Sequence, residues 1–332
     1  MNILIFTTVF YPAIGGIENM TVNLAKEFIK EGHSVKVITH QKPAIPLANI
    51  KTYHSPSFFK MIRLFFWSDV YYMPNISLKG VWLLLFNPLK KWVVSHNDFY
   101  LENSKQIEVR IKRLLIKLAS CNISVSKSVA SKLNTKSEVI YNCYDETIFK
   151  LYENENRIYE FAFVGRLVQQ KGCEILIKAC KGLDKHFSLN IIGDGLERHR
   201  LEQLVEDLEL TENVHFLGFL KGNELAKMLN RHKVLIVPSI GKEGFGIVAL
   251  EGMACGCKII TADAGGLHEA LDKFGKIFPM SNVEALHGLL KDEMKEIDNN
   301  DTIVNQELKD YLGKHTARVV AKKYLSFFEK GN

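Results

Sequence analysis

Long apolar runs are missing from this 332-residue chain. No window reaches the roughly 18 uncharged apolar residues that a bilayer-spanning helix needs. The best run, Val81 to Phe86, is far too short. The opening MNILIFTTVFYP has no basic n-region, so no secretory signal is expected there. Paired cysteines are also missing. Cys121, Cys143, Cys173, Cys180, Cys255 and Cys257 are scattered, and none forms a CxxC pair. That argues against a zinc site and against a disulfide framework. Reduced thiols in a cytoplasmic protein fit this pattern. There is no dense Lys/Arg tract, and a net charge of +6 is too weak to argue for nucleic acid. The mild excess favours phosphates, nucleotides or an anionic membrane surface. Repeats with a period of about 20–50 residues and low-complexity tracts are absent. With 47% hydrophobic and 24% charged residues, the composition is that of a globular protein and no long disordered segment is expected.

What remains is an α/β pattern. Asn2 to Phe6 is a short apolar run that reads as a buried parallel strand. A loop with Pro12, Gly15 and Gly16 follows, then a helical pattern from Ile17 to Lys30 with Gly32 just past its end. Val35 to Thr39 completes a βαβ unit, the building block of a doubly wound sheet. Further strand candidates are Val70–Met73, Val81–Phe86, Trp92–Ser95, Cys121–Val125 and Glu138–Tyr141, with a helix over Lys105–Leu118. The polar stretch Tyr152 to Ile158 reads as a linker. The pattern then restarts with strands at Phe161–Val164, Leu189–Ile192, Val214–Leu217, Val234–Val237 and Lys258–Thr261. Helices are expected at Cys173–Lys181, Arg198–Glu209 and Arg318–Phe328. The expected organisation is one Rossmann-like domain over 1–152, a second over 153–316 and a final helix over 317–332.

The segment Glu243 to Glu251 carries the sharpest chemical signal. Gly244 and Gly246 form a loop, and a helix begins near Ile247. A helix start offers unpaired N–H groups and partial positive charge, which suit a phosphate. Glu251 would then face a polar group on one side of the phosphates, and Glu243 a group on the far side. A nucleotide sugar has that layout, and carboxylates accept strong hydrogen bonds from vicinal hydroxyls. The plain alternative is two surface glutamates around a glycine turn.

The surrounding sequence, PSIGKEGFGIVALEGMACGCKIITADAGGLHE, resembles the C-terminal signature of glycosyltransferase family 4. The resemblance extends upstream to Val164-Gly165-Arg166-Leu167, Lys171-Gly172 and Ile192-Gly193-Asp194-Gly195. At the N-terminus it takes in Pro12-Ala13-Ile14-Gly15-Gly16-Ile17-Glu18 and Gly32-His33-Ser34-Val35. It implies a GT-B fold: two facing Rossmann-like, doubly wound domains with a cleft, and a last helix that crosses back to the first domain. It implies a retaining transferase that moves a sugar from a nucleotide diphosphate. It also implies roles. Arg166 and Lys171 match the basic pair that binds the donor diphosphate, where cations stabilise the charge that develops on the leaving group. Gly165, Phe245, Gly246, Ile247 and Glu251 match donor-binding positions, and Glu243 the donor sugar's carboxylate. Gly15 and Gly16 would face the diphosphate and acceptor across the cleft. The loop is not GxGxxG, so dinucleotide binding is a weak reading. His96, after an apolar strand, matches a histidine close to the anomeric carbon; its plain alternative is a structural histidine. Asn142 and Asp145 match an Asn-Gly-Val-Asp stretch at the domain junction, with Cys143 in place of the glycine. Gly265, Gly266 and Glu269 match a GGxxE. No metal and no cofactor are expected, since the two cations take that role and no Asp-x-Asp is evident.

Two segments bear on the acceptor. Phe58 to Trp67 is aromatic with interleaved cations. In Lys105 to Leu118, the apolar Ile107, Ile111, Leu114, Leu115 and Leu118 share one side, with Lys105, Lys112, Arg113 and Lys117 largely elsewhere. Such a helix can lie on an anionic membrane; otherwise it packs into the first domain with a solvated basic face. A lipid-linked or cell-surface polysaccharide or lipopolysaccharide precursor is the expected acceptor, with the enzyme cytoplasmic or peripheral on the inner membrane face. A nucleotide-sugar 2-epimerase and a catalytically silent nucleotide-sugar-binding subunit are the alternatives.

Overall fold

The computed structural model describes residues 1–8, 10, 15–40, 49–99, 106–153, 155–183, 186–296 and 305–329. The chain divides into two compact units, Met1–Cys143 with His315–Asn332, and Tyr144–Lys314. Pro12, Ala13, Ile14 and Lys105 lie outside the described residues, as does Asn154 of the expected linker.

Unit 1 runs β1 (Asn2–Phe6), α1 (Gly16–Lys30), β2 (Ser34–Thr39), β3 (Lys51–His54), α2 (Phe58–Trp67), β4 (Val70–Pro74), α3 (Leu78–Val81), β5 (Lys91–His96), α4 (Ile107–Leu115), β6 (Cys121–Ser124), α5 (Lys127–Ala130) and β7 (Glu138–Val139). The strands are all parallel, in the order β3-β2-β1-β4-β5-β6-β7. A parallel sheet is covered on both faces, so its strands read as unbroken apolar runs; β1 and β4 are buried almost throughout. Alternate side chains point to opposite faces. Tyr71 joins Phe6, Met73, Trp92 and Val94 on the face covered by α2, α3 and α4, where Met61, Leu64, Phe65, Val81, Leu83, Val109 and Ile116 close the core.

Val81–Phe86 is helical rather than a strand: α3 continues into a 3-10 turn over Trp82–Leu85. A short apolar run carries no period that separates the two, and here the chain uses it as the crossover between β4 and β5. In α4 and the 3-10 turn that continues it over Ile116–Leu118, Val109, Leu115 and Ile116 face inward, while Ile107, Ile111, Leu114 and Leu118 remain exposed.

Unit 2 runs β8 (Tyr159–Val164), α6 (Cys173–Cys180), β9 (Leu189–Ile192), α7 (Arg198–Asp207), β10 (Val214–Gly218), α8 (Gly222–Asn230), β11 (His232–Val237), α9 (Ile247–Ala254), β12 (Lys258–Ala262), α10 (Leu267–Leu271), β13 (Lys276–Phe278), α11 (Val283–Glu296) and α12 (Gln306–Gly313). Its parallel sheet has the order β10-β9-β8-β11-β12-β13. The described residues of Tyr152 to Ile158 pack within this unit. The Tyr152 N–H donates to Asn230 Oδ1 at 2.8 Å, and Arg157 reaches the His232 and Cys255 carbonyls at 2.5 and 2.6 Å.

The last helix, α13 (Ala317–Glu329), belongs to unit 1. Its Phe328 meets Phe28 of α1 edge-on at 5.4 Å, and its Tyr324 packs on Tyr72 at 5.8 Å. Arg318 and Lys322 both approach the Glu31 carboxylate at 3.6 Å. Among the described residues, no helix is long and apolar enough to cross a membrane.

Candidate donor site

In unit 2 the chain leaves β8 towards β9 and leaves β11 towards β12, in opposite directions across the sheet. A crevice forms outside the carboxyl ends of two such strands, and ligands of open α/β sheets bind there. Gly165 and Arg166 follow β8; Pro238, Ser239 and Glu243 follow β11.

These two loops are fastened to each other. The Ile240 and Gly241 N–H groups donate to the Gln170 carbonyl at 3.0 and 3.1 Å. Gly172 has φ +68°, and a Cβ there would stand 1.9 Å from the Pro238 carbonyl oxygen. Only glycine admits that approach. Lys171 is thereby held against the second loop, and its Nζ donates to Glu243 Oε1 at 2.6 Å. The same oxygen accepts from Ser239 Oγ at 2.7 Å, and Ser239 is fully buried. The Lys171 stem passes close to Gly165, with Cγ 3.9 Å from where a side chain there would begin. Arg166, next in the chain, is exposed.

A third loop locks onto the second. The Gly266 N–H donates to the Glu243 carbonyl at 2.7 Å, and Glu243 and Gly265 form a parallel bridge. Gly246 has φ +98° and lies against Leu267, with no room for a side chain. Gly246 is also the N-cap of α9, and no side chain caps that helix. The Ala249 N–H turns back to the Gly246 carbonyl at 3.0 Å, which leaves the Ile247 and Val248 N–H groups as donors for an anion. Phe245 is 2% exposed, so its ring is core and only its backbone serves the loop.

Glu251 lies just over one turn into α9. Part of its surface stays open, yet burial pushes its carboxyl up to about 7, and the nearby Asp145 charge adds to this. Asp145 is itself tied down by Thr147, whose N–H and Oγ1 donate to Oδ1 at 3.1 and 2.6 Å. Glu269 lies in the first turn of α10, and its side chain is partly buried.

In unit 1, Gly15 caps α1 and Gly16 opens it. A side chain at Gly15 would strike the Glu18 carboxylate, with Oε2 only 2.3 Å from the added carbon. A negative group thus already lies at this helix start. His96 ends β5 and is fully buried; its Nε2 pairs with Asn122 Oδ1 at 2.9 Å. Burial lowers its pKa to about 4, so the ring is neutral at pH 7. Asp98, two residues on, is exposed, and Asn142 is buried with its carbonyl facing His315 Nδ1 at 3.2 Å.

The structure therefore brings Gly165, Lys171, Glu243, Gly246, Ile247 and Gly265–Gly266 together in unit 2, with Glu251 further along α9. Ser239 and Asp145 are members that the sequence reading gave no donor-site role. The spacing of Ser239 and Glu243, four residues apart, was the available signal for the first. Among the described residues, no three His, Cys, Asp or Glu side chains gather as a metal site requires.

Comparison with known proteins places these loops in context. Residues 145–309 match the model of the family "Glycosyl transferases group 1". An uncharacterized glycosyltransferase of Methanocaldococcus jannaschii is 33% identical over 225 residues, which is 64% of this chain and 58% of that protein. The O-antigen chain mannosyltransferase RfbU of Salmonella typhimurium is 35% identical over 45% of this chain and 42% of its own length. The chain thus spans about half the length of these curated relatives. Among solved structures, HepE of Anabaena in complex with UDP and glucose superposes with a TM-score of 0.83 at 20% identity, covering 98% of both chains. The fold class is GT-B. Residues 145–309 thus resemble that family, and the solved neighbours share the fold.

Proposed function

We propose that this chain, whose residues 145–309 match the model of the glycosyl transferases group 1, moves a sugar from a nucleoside diphosphate to an acceptor with retention of anomeric configuration. One observation carries the reading. At the carboxyl edge of β8 and β11, the Lys171–Glu243 pair stands between Gly165 and the uncapped start of α9. This corner offers positive charge and N–H donors to a diphosphate, and carboxylates to hydroxyls on either side.

Arg166, Lys171 and the Ile247 end of α9 hold the diphosphate. Glu251 accepts hydrogen bonds from the ribose hydroxyls, and Glu243 from the sugar. The C1–O bond to the diphosphate breaks, and the charge that appears on the leaving oxygen is met by cations already in place. The acceptor hydroxyl forms the new C1–O bond on the same face. Its proton passes to the leaving phosphate oxygen, so no protein base is required. Gly15 and Gly16 belong to the acceptor side, and His96, buried against Asn122, serves there as a neutral ring that ties β5 to β6 rather than as a group touching the acceptor. No metal takes part, and transfer should persist in EDTA. The O-antigen mannosyltransferase among the relatives supports a cell-surface polysaccharide or lipopolysaccharide precursor as acceptor.

Thermal stabilisation by a panel of nucleoside diphosphates and their sugars, on wild type and Arg166→Ala, tests the reading. A nucleotide that stabilises wild type far more than the variant is expected. Stabilisation by none of them overturns the donor site. Release of a free epimerised sugar without acceptor would instead assign an epimerase, and binding without turnover a silent subunit.

A further inference from the structure

The layer of unit 1 formed by α2, α3 and α4 turns apolar side chains outward as well as inward. Along α4 and the 3-10 turn Ile116–Leu118 that continues it, the exposed apolar residues are Ile107 (74%), Ile111, Leu114 and Leu118 (75%). Their spacing of four, three and four residues lines them along one side of the helix. The same layer exposes Phe58, Phe59 (82%), Leu85 (82%), Phe86 and Leu89 (84%). This second cluster is built rather than loose. Phe58 stacks on Trp82 at 5.1 Å, and Phe86 meets both rings edge-on at 6.1 and 6.0 Å. Soluble chains rarely leave so much large apolar surface uncovered on one layer.

Charge follows the same segment. Residues 57–118 hold ten Lys/Arg and four Asp/Glu, a net +6 that equals the charge of the whole chain. The rest of the chain carries as many acids as bases. In α4 the single acid, Glu108, is neutralised by Lys112 at 2.6 Å, and Arg110 is exposed beside the apolar strip.

We infer that this layer docks on the surface of a lipid bilayer that carries anionic headgroups. The apolar side chains enter the boundary of the acyl region, and the cations meet the headgroups. A second copy of the chain is a poorer occupant. A two-fold contact would press the same +6 segment against itself. The inference stands independently of sugar transfer.

Co-sedimentation of the full chain with vesicles tests it. Wild type should bind phosphatidylcholine vesicles containing phosphatidylglycerol at least about tenfold more tightly than phosphatidylcholine alone, and high salt should erase much of that difference. The triple variants Phe59→Ser/Leu85→Ser/Leu89→Ser and Ile107→Ser/Leu114→Ser/Leu118→Ser should each bind the anionic vesicles about tenfold less. Their melting temperatures should match wild type, because every altered side chain is exposed. Equal sedimentation of either variant and wild type would overturn the proposal. So would a failure of wild type to bind anionic vesicles. Light scattering that shows a wild-type dimer and monomeric variants without lipid would also overturn it, and would assign the face to self-association.

Discussion

Lys171 Nζ and Glu243 Oε1 lie 2.6 Å apart, so the cation expected to hold phosphate and the carboxylate expected to hold sugar are each other's partner. Both side chains keep some contact with solvent, 30% for Lys171 and 18% for Glu243, so a donor can reach each of them.

Glu243→Gln should separate binding from turnover. Freed from its partner, Lys171 should hold a bare nucleoside diphosphate as tightly as before or up to about fivefold tighter. Transfer should fall by about a hundredfold or more, since a group aimed at the reacting sugar is lost. Calorimetric titration and acceptor-dependent turnover read the two effects. A parallel loss of diphosphate affinity would reject the donor-sugar role of Glu243.

Ser239→Ala should destabilise unit 2. The buried hydroxyl donates to a carboxylate, and losing such a bond costs about 1.5–3 kcal/mol. Denaturant unfolding would reveal it as a shifted midpoint with an unchanged slope. Nucleotide-free stability equal to wild type would mean that Glu243 is held by Lys171 alone.

Gly172→Ala tests the fastening of the two phosphate-side loops. The residue sits at φ +68° with the Pro238 carbonyl in the way, so an alanine should cost at least about 1–3 kcal/mol. It should also weaken the nucleotide-induced thermal shift, because Lys171 is the preceding residue.

Glu251 gives a pH signature. Its folded pKa of about 7 lies above the ordinary 4.5, so the native state keeps a proton that the unfolded chain has released. The stability this adds is full below pH 4.5 and is lost as pH rises towards 7. Glu251→Gln should remove that decline. Ribose hydroxyls donate to the ionised carboxylate, so wild-type nucleotide affinity should rise between pH 6 and 8 by more than that of Glu251→Gln. Identical pH profiles would remove the ribose contact.

His96 has the opposite sign. Its folded pKa of about 4 lies below 6.5, so its contribution is present above pH 6.5 and is lost as pH falls towards 4. The loss is on the order of 3 kcal/mol. His96→Gln should flatten acid unfolding of unit 1 over that window, as followed by hydrogen exchange in β5 and β6.

Much of this molecule can be read from its residues alone. The strands at Asn2–Phe6, Val70–Met73 and Leu189–Ile192 were legible because a covered parallel sheet demands unbroken apolar runs. Lys51–His54 escaped notice for the converse reason: it is an edge strand, half-buried rather than covered, with no apolar run. The outward strip of α4 was visible as a strip, but its direction was not, because Val109 and Ile116 on the opposite side offered a second apolar face. In the site, glycine spacing announced three loops. That they are pinned to one another, with Lys171 meeting Glu243 across 72 residues of sequence, depends on strand order and has no local trace.

The contacts of α13 with Phe28, Glu31 and Tyr72 set an order of assembly. The ribosome delivers all of unit 2 before it delivers the helix that covers α1. Domains generally fold as units as they emerge. Unit 2 can therefore finish during translation, while unit 1, begun first, waits with one flank bare and closes last.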